Sequence, residues 1–532
     1  MSGLADMMEV AALAGAESLG ASFLPRELQH QLPALQVVVP MLGAVLTTLF
    51  RGSSVAFSIT LAVALISAGI SALLLGQVLG SGPISYAMGG WEPPLGIEYR
   101  VDAVNAFLLL MVSLMMLVVT MAAPNSTRSE IPDNLHGWYY AMLIMCFCGL
   151  QGMAISGDAF NIFVFMEISS LATYALIAMG TDRRALVAAY QYLVIGTIGA
   201  TFYVLGAGIL FTITGTLNLV DMAVRLEPVQ ETRAALAALA FISVGIGLKL
   251  ALFPLHLWLP NAYAFAPSIA TVFLASTATK VAVYIAIRFV YSVYGFDLLQ
   301  ADSLRIDILV ITGLAALAMI APSIVAVFQA NVKRMLAYSS VAQIGYIIVG
   351  VSLLNEAGLT GGISHLFNHA IIKACLFLAV AAVVFSTGIT KIDQMAGLGR
   401  TMPWTMAAFC VAGLGLIGVP GTAGFVSKWY LIQGAAAAEQ WWLVAAIVVA
   451  SLVAVFYIGR VVEIAYFRAP EGVAAAPRRP ARELVLVTWG LALATLYFGV
   501  QTEISAGVPA QAAQILLEGT GYTAMGGLAD VQ

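Results

Sequence analysis

Apolar stretches long enough to cross a membrane follow one another along almost the whole chain. A run of about 20 apolar residues, wound as an α-helix, spans the ~30 Å hydrocarbon core of a bilayer. About fourteen such stretches lie between Leu32 and Ala506. Their spans are 33–50, 54–79, 103–123, 138–156, 158–180, 187–214, 234–258, 267–294, 306–329, 335–354, 362–387, 403–432, 441–467 and 484–506. Because a helix satisfies its own backbone in lipid, the pattern predicts an all-α, polytopic membrane protein.

Composition excludes several other classes of protein. Of the 532 residues, 9% are charged and 61% are apolar, whereas about a quarter of an average soluble domain is charged. The net charge of −4 excludes a basic nucleic-acid-binding protein. The four cysteines lack zinc or iron–sulfur spacing, and no glycine-rich phosphate loop is present. We therefore expect no metal, no cofactor and no enzymatic site of this chain's own.

Lysine and arginine are distributed unevenly between the two sides of the predicted membrane. Loops after odd-numbered spans hold twelve of them, and the opposite side holds five. The positive-inside rule then places both termini outside the cytoplasm. Residues 1–31 lack the basic start of a signal peptide, so we expect a short surface helix or a disordered tail there.

Several ionisable residues lie inside apolar spans, where a charge costs about 2.5–3.5 kcal/mol on insertion scales. They are Glu167, Lys249, Lys280, His365, His369, Lys373 and Lys428. One isolated histidine would be interpreted as a packing residue. Five spans that each carry a titratable group instead favour a path for ion transport.

The spacing within the eleventh span is that of one helix face. His365, His369 and Lys373 follow each other at intervals of four residues, so they form a stripe about 12 Å long that can relay protons through water. Glu167 is the one carboxylate well inside a span. It is the expected partner of Lys249 or of a cation from a neighbouring chain. Burial favours the neutral amine and a nearby carboxylate favours the ammonium, so lysine is suited to carry a proton.

Two prolines predict interrupted helices. Pro254 follows Lys249 by five residues, and Pro420 precedes Lys428 by eight. Such breaks in corresponding positions are typical of inverted repeats, although proline kinks alone are also common.

The interval between the prolines fits two repeats of five spans. The expected divisions are 1–137 with the first three helices, 138–294 and 295–467 as the repeats, and 468–532 with the last helix.

Four charged residues at span ends receive simpler interpretations. Asp102 and Asp158 precede spans, where capping of the helix N-terminus is the default role. Arg288 and Arg460 are expected to extend their guanidinium groups to the membrane interface.

Five stretches carry a resemblance to a known superfamily. They are residues 160–180, HLWLPNAYAFAPS at 256–268, KRMLAYSSVAQIGY at 333–346, HLFNHAIIKACLFL at 365–378 and PGTAGFVSKWYLI at 420–432. In this order they resemble the antiporter-like subunits of respiratory complex I and of Mrp-type cation/proton antiporters. Within that superfamily the chain is most similar to the D-type subunits of Mrp Na⁺/H⁺ antiporters.

The resemblance implies fourteen helices, two inverted five-helix repeats, and breaks in helices seven and twelve. It also implies roles for residues of this chain in proton or ion translocation. Glu167 matches the essential glutamate, Lys249 its lysine partner, Lys280 a bridging lysine, His365, His369 and Lys373 the central polar helix, and Lys428 the terminal carrier.

Two classes of function remain open. In the first, the chain is the proton-translocating subunit of a multisubunit Na⁺/H⁺ antiporter in a bacterial cytoplasmic membrane. In the second, it is a proton-pumping subunit of NADH-quinone oxidoreductase (complex I) or of a membrane-bound hydrogenase. The expected partners are other membrane subunits, H⁺ and Na⁺, and lipid, without nucleic acid.

Overall fold

The computed structural model describes residues 25–50, 52–301, 304–469 and 480–519. Residues 1–24 lie outside the described residues, so the prediction for the N-terminal segment is tested only from Pro25 onward. Helix α1 already begins at Arg26 and ends at Leu49, earlier than the predicted start at residue 33. The residues before that start, Arg26–Leu32, include several good helix formers, which lengthen the helix beyond its apolar part.

Twenty-one α-helices follow in chain order within the described residues. The first three are α1, α2 (Ser53–Ser81) and α3 (Ala103–Glu130). The next eight are α4 (His136–Ile155), α5 (Ala159–Ala178), α6 (Arg183–Thr214), α7 (Leu219–Leu226), α8 (Arg233–Leu250), α9 (Leu259–Phe265), α10 (Ser268–Ser276) and α11 (Ala278–Ile287).

The second half of the chain continues the series. Its helices are α12 (Phe296–Gln300), α13 (Arg305–Val327), α14 (Val332–Ser352), α15 (Glu356–Thr387), α16 (Leu398–Thr401), α17 (Pro403–Ile417), α18 (Ala423–Ala437), α19 (Trp441–Phe467), α20 (Arg482–Val500) and α21 (Val508–Leu517). A π-turn, Arg288–Val293, extends α11.

Thirteen helical segments of the described chain are long and apolar enough to cross a membrane. A further crossing is split into α17 and α18. The predicted polytopic helical fold is therefore confirmed. Residues 80–102 lie between the predicted spans 54–79 and 103–123. They contain an antiparallel hairpin of β1 (Ile84–Ala87) and β2 (Glu98–Val101), with Ile84 opposite Val101.

The hairpin identifies the two ends of the helical bundle. We call the end that carries it the hairpin face. The opposite end, where the lysine-rich and arginine-rich loops lie, is the basic face. Helix neighbours recur in two sets between these faces. Helices α4, α5, α6 and α8 pack in succession, and α13, α14, α15 and α18 pack in the same succession.

Three crossings are interrupted inside the bundle. Helix α8 ends at Leu250, where Ala251 has φ +59°, and the chain becomes helical again at Leu259. Helix α17 ends before Gly418, whose φ of +90° is readily adopted only by glycine. These two breaks contain the predicted Pro254 and Pro420.

The third interruption was not predicted. Thr277 lies between α10 and α11 with φ −125° and ψ −58°, which is not a helical conformation. The eighth crossing therefore consists of two half-helices rather than one continuous helix over 267–294.

Candidate functional site

The six basic side chains predicted to carry protons all lie in the protein interior. None of these residues is more than 8% exposed. They are Lys249, Lys280, His365, His369, Lys373 and Lys428. Glu167 differs from the prediction, because its side chain is 25% exposed. Among the described residues, the more deeply buried carboxylates are Asp102 and Glu98.

The carboxylate of Glu167 and the ammonium of Lys249 lie together between α5 and α8. Oε1 of Glu167 is 3.7 Å from Nζ of Lys249, which also donates a hydrogen bond to Oγ of Ser170 at 2.5 Å. Val164 and Leu171, on the same face of α5 as Glu167, are 37% and 58% exposed. The carboxylate therefore lies between Lys249 and the outer surface of the bundle.

A cavity lies on the inner side of this pair. Lys249 lines it together with the hydroxyl-bearing residues Ser169, Ser170 and Thr173. Ala278 of α11, the helix that also carries Lys280, forms part of its far wall. The space between the Glu167–Lys249 pair and α11 thus has polar groups on one side, where water could be held.

The ammonium group of Lys280 is bound at the third helix break. Its Nζ donates to the carbonyl oxygen of Ala275, in the last turn of α10, and lies 3.5 Å from Oγ1 of Thr279. Carbonyl groups in the last turn of a helix carry the negative end of the helix dipole. The unpredicted break at Thr277 therefore supplies a ligand for this lysine.

The two histidines of α15 stack on each other. Their ring centroids are 5.9 Å apart and the rings are nearly parallel, at 6°. Nδ1 of His365 lies 2.8 Å from Oγ of Ser427, and Nε2 lies 2.8 Å from Oε1 of Gln343. Both ring nitrogens of His369 are buried without a hydrogen-bond partner among the described residues. His369 thus has two nitrogens available to exchange protons through water.

The amine of Lys373 turns from α15 toward α14. Its Nζ donates to the carbonyl oxygen of Leu336 at 2.9 Å and to Oγ of Ser339. Lys280 interacts electrostatically with both Lys373 and His369. The structure therefore brings α11 and the polar stripe of α15 into one electrostatic group.

Lys428 is bound at the second predicted break. Its Nζ donates to the carbonyl oxygens of Leu416 at 3.0 Å and Ile417 at 2.9 Å, and to Oγ of Ser451 at 3.0 Å. The ammonium also lies 4.6 Å from the ring centroid of Tyr346. The residue is only 4% exposed, so its ammonium lies inside the bundle.

Sequence reasoning missed the neutral side chains that connect these amines. Tyr346 touches Ser451, a ligand of Lys428, at 3.1 Å, and its ring is 5.5 Å from that of His365. Hydroxyl and amide side chains are common in apolar helices, where they also bond their own backbone. Their residue type alone therefore does not distinguish a ligand from a local helix contact.

The expectation for Arg288 was wrong. Arg288 is 1% exposed, and its guanidinium forms a buried ion pair with Asp102. The Asp102 carboxylate also caps α3, because it accepts a hydrogen bond of 2.9 Å from the N–H group of Val104. Nε of Arg288 donates to the hydroxyl of Tyr284 at 2.9 Å. The guanidinium turns inward because a buried carboxylate is available there. The position of Arg288 near the end of a predicted span did not reveal that partner.

The two capping predictions agree with the structure. Asp102 and Asp158 both cap helices, and Oδ1 of Asp158 accepts from the N–H group of Asn161 at 2.7 Å. Arg460 donates to the carbonyl of Val327 at 3.0 Å on the basic face, with its side chain 31% exposed.

This arrangement defines a multi-span membrane protein with an internal line of basic side chains. The family described as NADH:quinone oxidoreductase/Mrp antiporter, TM, matches residues 156–454. The N subunit of the NADH-quinone oxidoreductase of Desulforudis audaxviator is 41% identical over 452 residues, which cover 84% of this chain and 89% of that protein. The chain therefore belongs to this family of membrane subunits.

Two further similarities lie on the antiporter side of the family. The D subunit of the Na⁺/H⁺ antiporter of Bacillus subtilis is 27% identical over 92% of this chain and 97% of its own length. A chain in the structure of the Mrp complex from Dietzia sp. DQ12-45-1b superposes with a TM-score of 0.85 at 25% identity, covering 93% of this chain and 98% of that one.

The Arg288–Asp102 pair provides a test of the buried charges. Arg288→Ala leaves the Asp102 carboxylate without its guanidinium, which should lower the free energy of unfolding by about 3–5 kcal/mol. Thermal unfolding of the purified protein in detergent measures the loss. The double variant Arg288→Met/Asp102→Asn removes both charges and should be closer to the wild type. Equal stability of Arg288→Ala and the wild type contradicts a buried pair.

Proposed function

We propose that the chain is the proton-translocating membrane subunit of a multisubunit monovalent cation (Na⁺)/H⁺ antiporter. The chain itself acts as a transporter subunit rather than as an enzyme. Its translocating groups are Glu167, Lys249, Lys280, His365, His369, Lys373 and Lys428.

The observation that carries this proposal is the way the buried amines are bound. Lys280 and Lys428 donate to uncharged carbonyl and hydroxyl oxygens, and Lys373 does the same. Neutral oxygens stabilise an ammonium without fixing its charge, so the amine can release its proton. Neighbouring ammonium groups repel each other. Arrival of a proton at Lys280 therefore favours release of a proton from Lys373 or from the next buried amine.

The Glu167–Lys249 pair is suited to control how protons reach this line. At 3.7 Å the carboxylate favours the ammonium form of Lys249. If the pair opens, Lys249 loses this support and favours the neutral amine. The opening of one ion pair would then send a proton toward the cavity beside α11.

The exposed side of Glu167 indicates where another subunit binds. A carboxylate that is 25% exposed in the middle of a membrane helix is costly when it faces lipid. A neighbouring membrane protein that covers α5 and supplies a cation would remove this cost. The Bacillus subtilis relative is likewise named as one subunit of an antiporter.

The location and internal symmetry belong to the same proposal. The recurring helix contacts and the breaks at 251–258 and 418–422 support repeats over 138–294 and 295–467. The similarity to a bacterial antiporter subunit supports a bacterial cytoplasmic membrane. The distribution of basic residues supports an orientation with the basic face toward the cytoplasm. Both chain termini then lie on the outer side.

A second candidate function is a proton-pumping subunit of a redox complex. The observation that favours it is the 41% identity to the N subunit of an NADH-quinone oxidoreductase. In that case the same line of amines would be driven by electron transfer in other subunits.

Purification of the intact complex from the native membrane distinguishes the two functions. Copurification of small membrane subunits without iron–sulfur proteins is expected for the antiporter. Copurification of quinone-binding and nucleotide-binding subunits contradicts the antiporter proposal and supports the redox pump.

The variant Glu167→Gln tests the proposed path directly. Glutamine has nearly the same shape but cannot attract the Lys249 ammonium as an anion, so we expect a folded, assembled complex with proton-coupled exchange reduced by at least about tenfold. Exchange is measured as pH change in membrane vesicles after addition of Na⁺. Glu463→Gln is the matched control, since Glu463 is an exposed partner of Arg468 at 3.1 Å. Wild-type exchange by Glu167→Gln contradicts the proposal.

A further inference from the structure

Two opposite charges, Glu130 and Lys333, lie at the basic face, outside the predicted line of amines. Glu130 is the last residue of α3, and Lys333 is the second residue of α14. An anion at a helix C-terminus and a cation at a helix N-terminus each oppose the dipole of their own helix. Neither charge is therefore placed to stabilise the helix that carries it.

Both charges instead bind the connection between α9 and α10. Oε2 of Glu130 accepts a hydrogen bond of 2.7 Å from the N–H group of Ser268, the first residue of α10. Nζ of Lys333 donates to the carbonyl oxygen of Ala266 at 3.4 Å, directly after α9. Each charge thus binds the half-helix end of opposite polarity. We call Glu130, Lys333 and residues 266–268 the linker clamp.

The linker clamp extends from water into the protein. Lys333 is 5% exposed, whereas Glu130 is only half-buried and follows the exposed residues Arg128 and Ser129. A proton from the basic face can therefore reach the carboxylate of Glu130, whose charge interacts with the buried Lys333.

Helix α10 connects the linker clamp to the line of buried amines. It has nine residues and begins at Ser268, which is bound by Glu130. The carbonyl of Ala275 in its last turn receives the ammonium of Lys280. One short helix therefore has a carboxylate at its positive end and an ammonium at its negative end. A change of charge at Glu130 therefore alters the electrostatic interaction at the start of α10, the helix whose last turn binds Lys280.

A buried histidine lies close to Glu130 in the chain fold. Nε2 of His136 is 3.0 Å from the carbonyl oxygen of Ile131, the residue after Glu130, and 3.8 Å from Oδ1 of Asp133.

Other charged and titratable groups also face this region. The guanidinium of Arg184 lies 4.5 Å from the ring centroid of Phe265, at the end of α9. Arg184 is itself paired with Asp182 at 2.6 Å on the exposed surface. Tyr139 of α4 interacts electrostatically with Glu130. Of these groups and the clamp pair, Glu130 is the carboxylate that binds the backbone of the linker directly.

We propose that Glu130 binds protons arriving at the basic face and that the linker clamp couples this protonation to Lys280 through α10. The proton from water neutralises the carboxylate, which then no longer balances the positive charge of Lys333. The neutral group also accepts a weaker hydrogen bond from the N–H group of Ser268. Release of that proton restores the ionic clamp. This inference rests on the proposed proton-translocating function and adds the group that senses the basic face.

The test compares charge with shape at position 130. Glu130→Gln keeps an oxygen that can accept from the Ser268 N–H group but mimics the neutral state permanently. In proteoliposomes with the purified complex, we expect its transport to fall about tenfold and to lose its dependence on pH at the basic face. Glu130→Asp should retain both. Asp182→Asn, an exposed carboxylate on the same face, is the control and should behave as wild type.

The outcomes separate this inference from the proposed function. If Glu167→Gln is inactive but Glu130→Gln keeps the wild-type rate and pH dependence, only the present inference is overturned. If Glu167→Gln is fully active, the proposed function and this inference both fail. Loss of transport in both Glu130→Gln and Glu130→Asp also contradicts the inference, because shape rather than charge would matter. Should Glu130→Gln not assemble, Glu130→Gln/Lys333→Gln removes both charges and is measured with the same expectation.

Discussion

The binding of lysine ammonium groups by carbonyl oxygens of interrupted helices is the interaction on which the interior of this protein depends. An ammonium inside a membrane has little water to solvate it, and the last carbonyls of a helix have no partner within that helix. A break inside the bundle places the poorly solvated ammonium next to these unpaired carbonyl groups. The carbonyls of Leu416 and Ile417 bind Lys428, and that of Ala275 binds Lys280. The breaks are therefore part of the site rather than defects in the helices.

Two kinds of buried cation in the same chain have different chemical consequences. Arg288 is bound by the carboxylate of Asp102 and stays charged, so this pair fixes the eighth crossing to α3. Lys280 and Lys428 are bound by neutral oxygens, which accept from an ammonium and also tolerate a neutral amine. The first arrangement suits a permanent structural contact. The second suits a group whose charge changes during transport.

The sequence predicted the crossings well because lipid imposes a strict requirement on helix length and polarity. It predicted the stripe of His365, His369 and Lys373 because one helix fixes their relative positions. The breaks near Pro254 and Pro420 were also predictable from proline geometry. The break at Thr277 was not, because threonine is compatible with a continuous helix. The inward position of Arg288 depends on Asp102, which is 186 residues away in the chain. No local pattern could reveal that contact.

The central claim is that buried lysines carry protons and do more than provide fixed charge. Lys428 offers the most direct measurement, because all three oxygen acceptors of its ammonium are uncharged. Arginine keeps the positive charge but does not release its proton at physiological pH. Proton-coupled transport by Lys428→Arg in membrane vesicles, compared with wild type and Lys428→Met, therefore tests the claim. The account predicts that both variants assemble and that both are inactive. Near-normal transport by Lys428→Arg would contradict it.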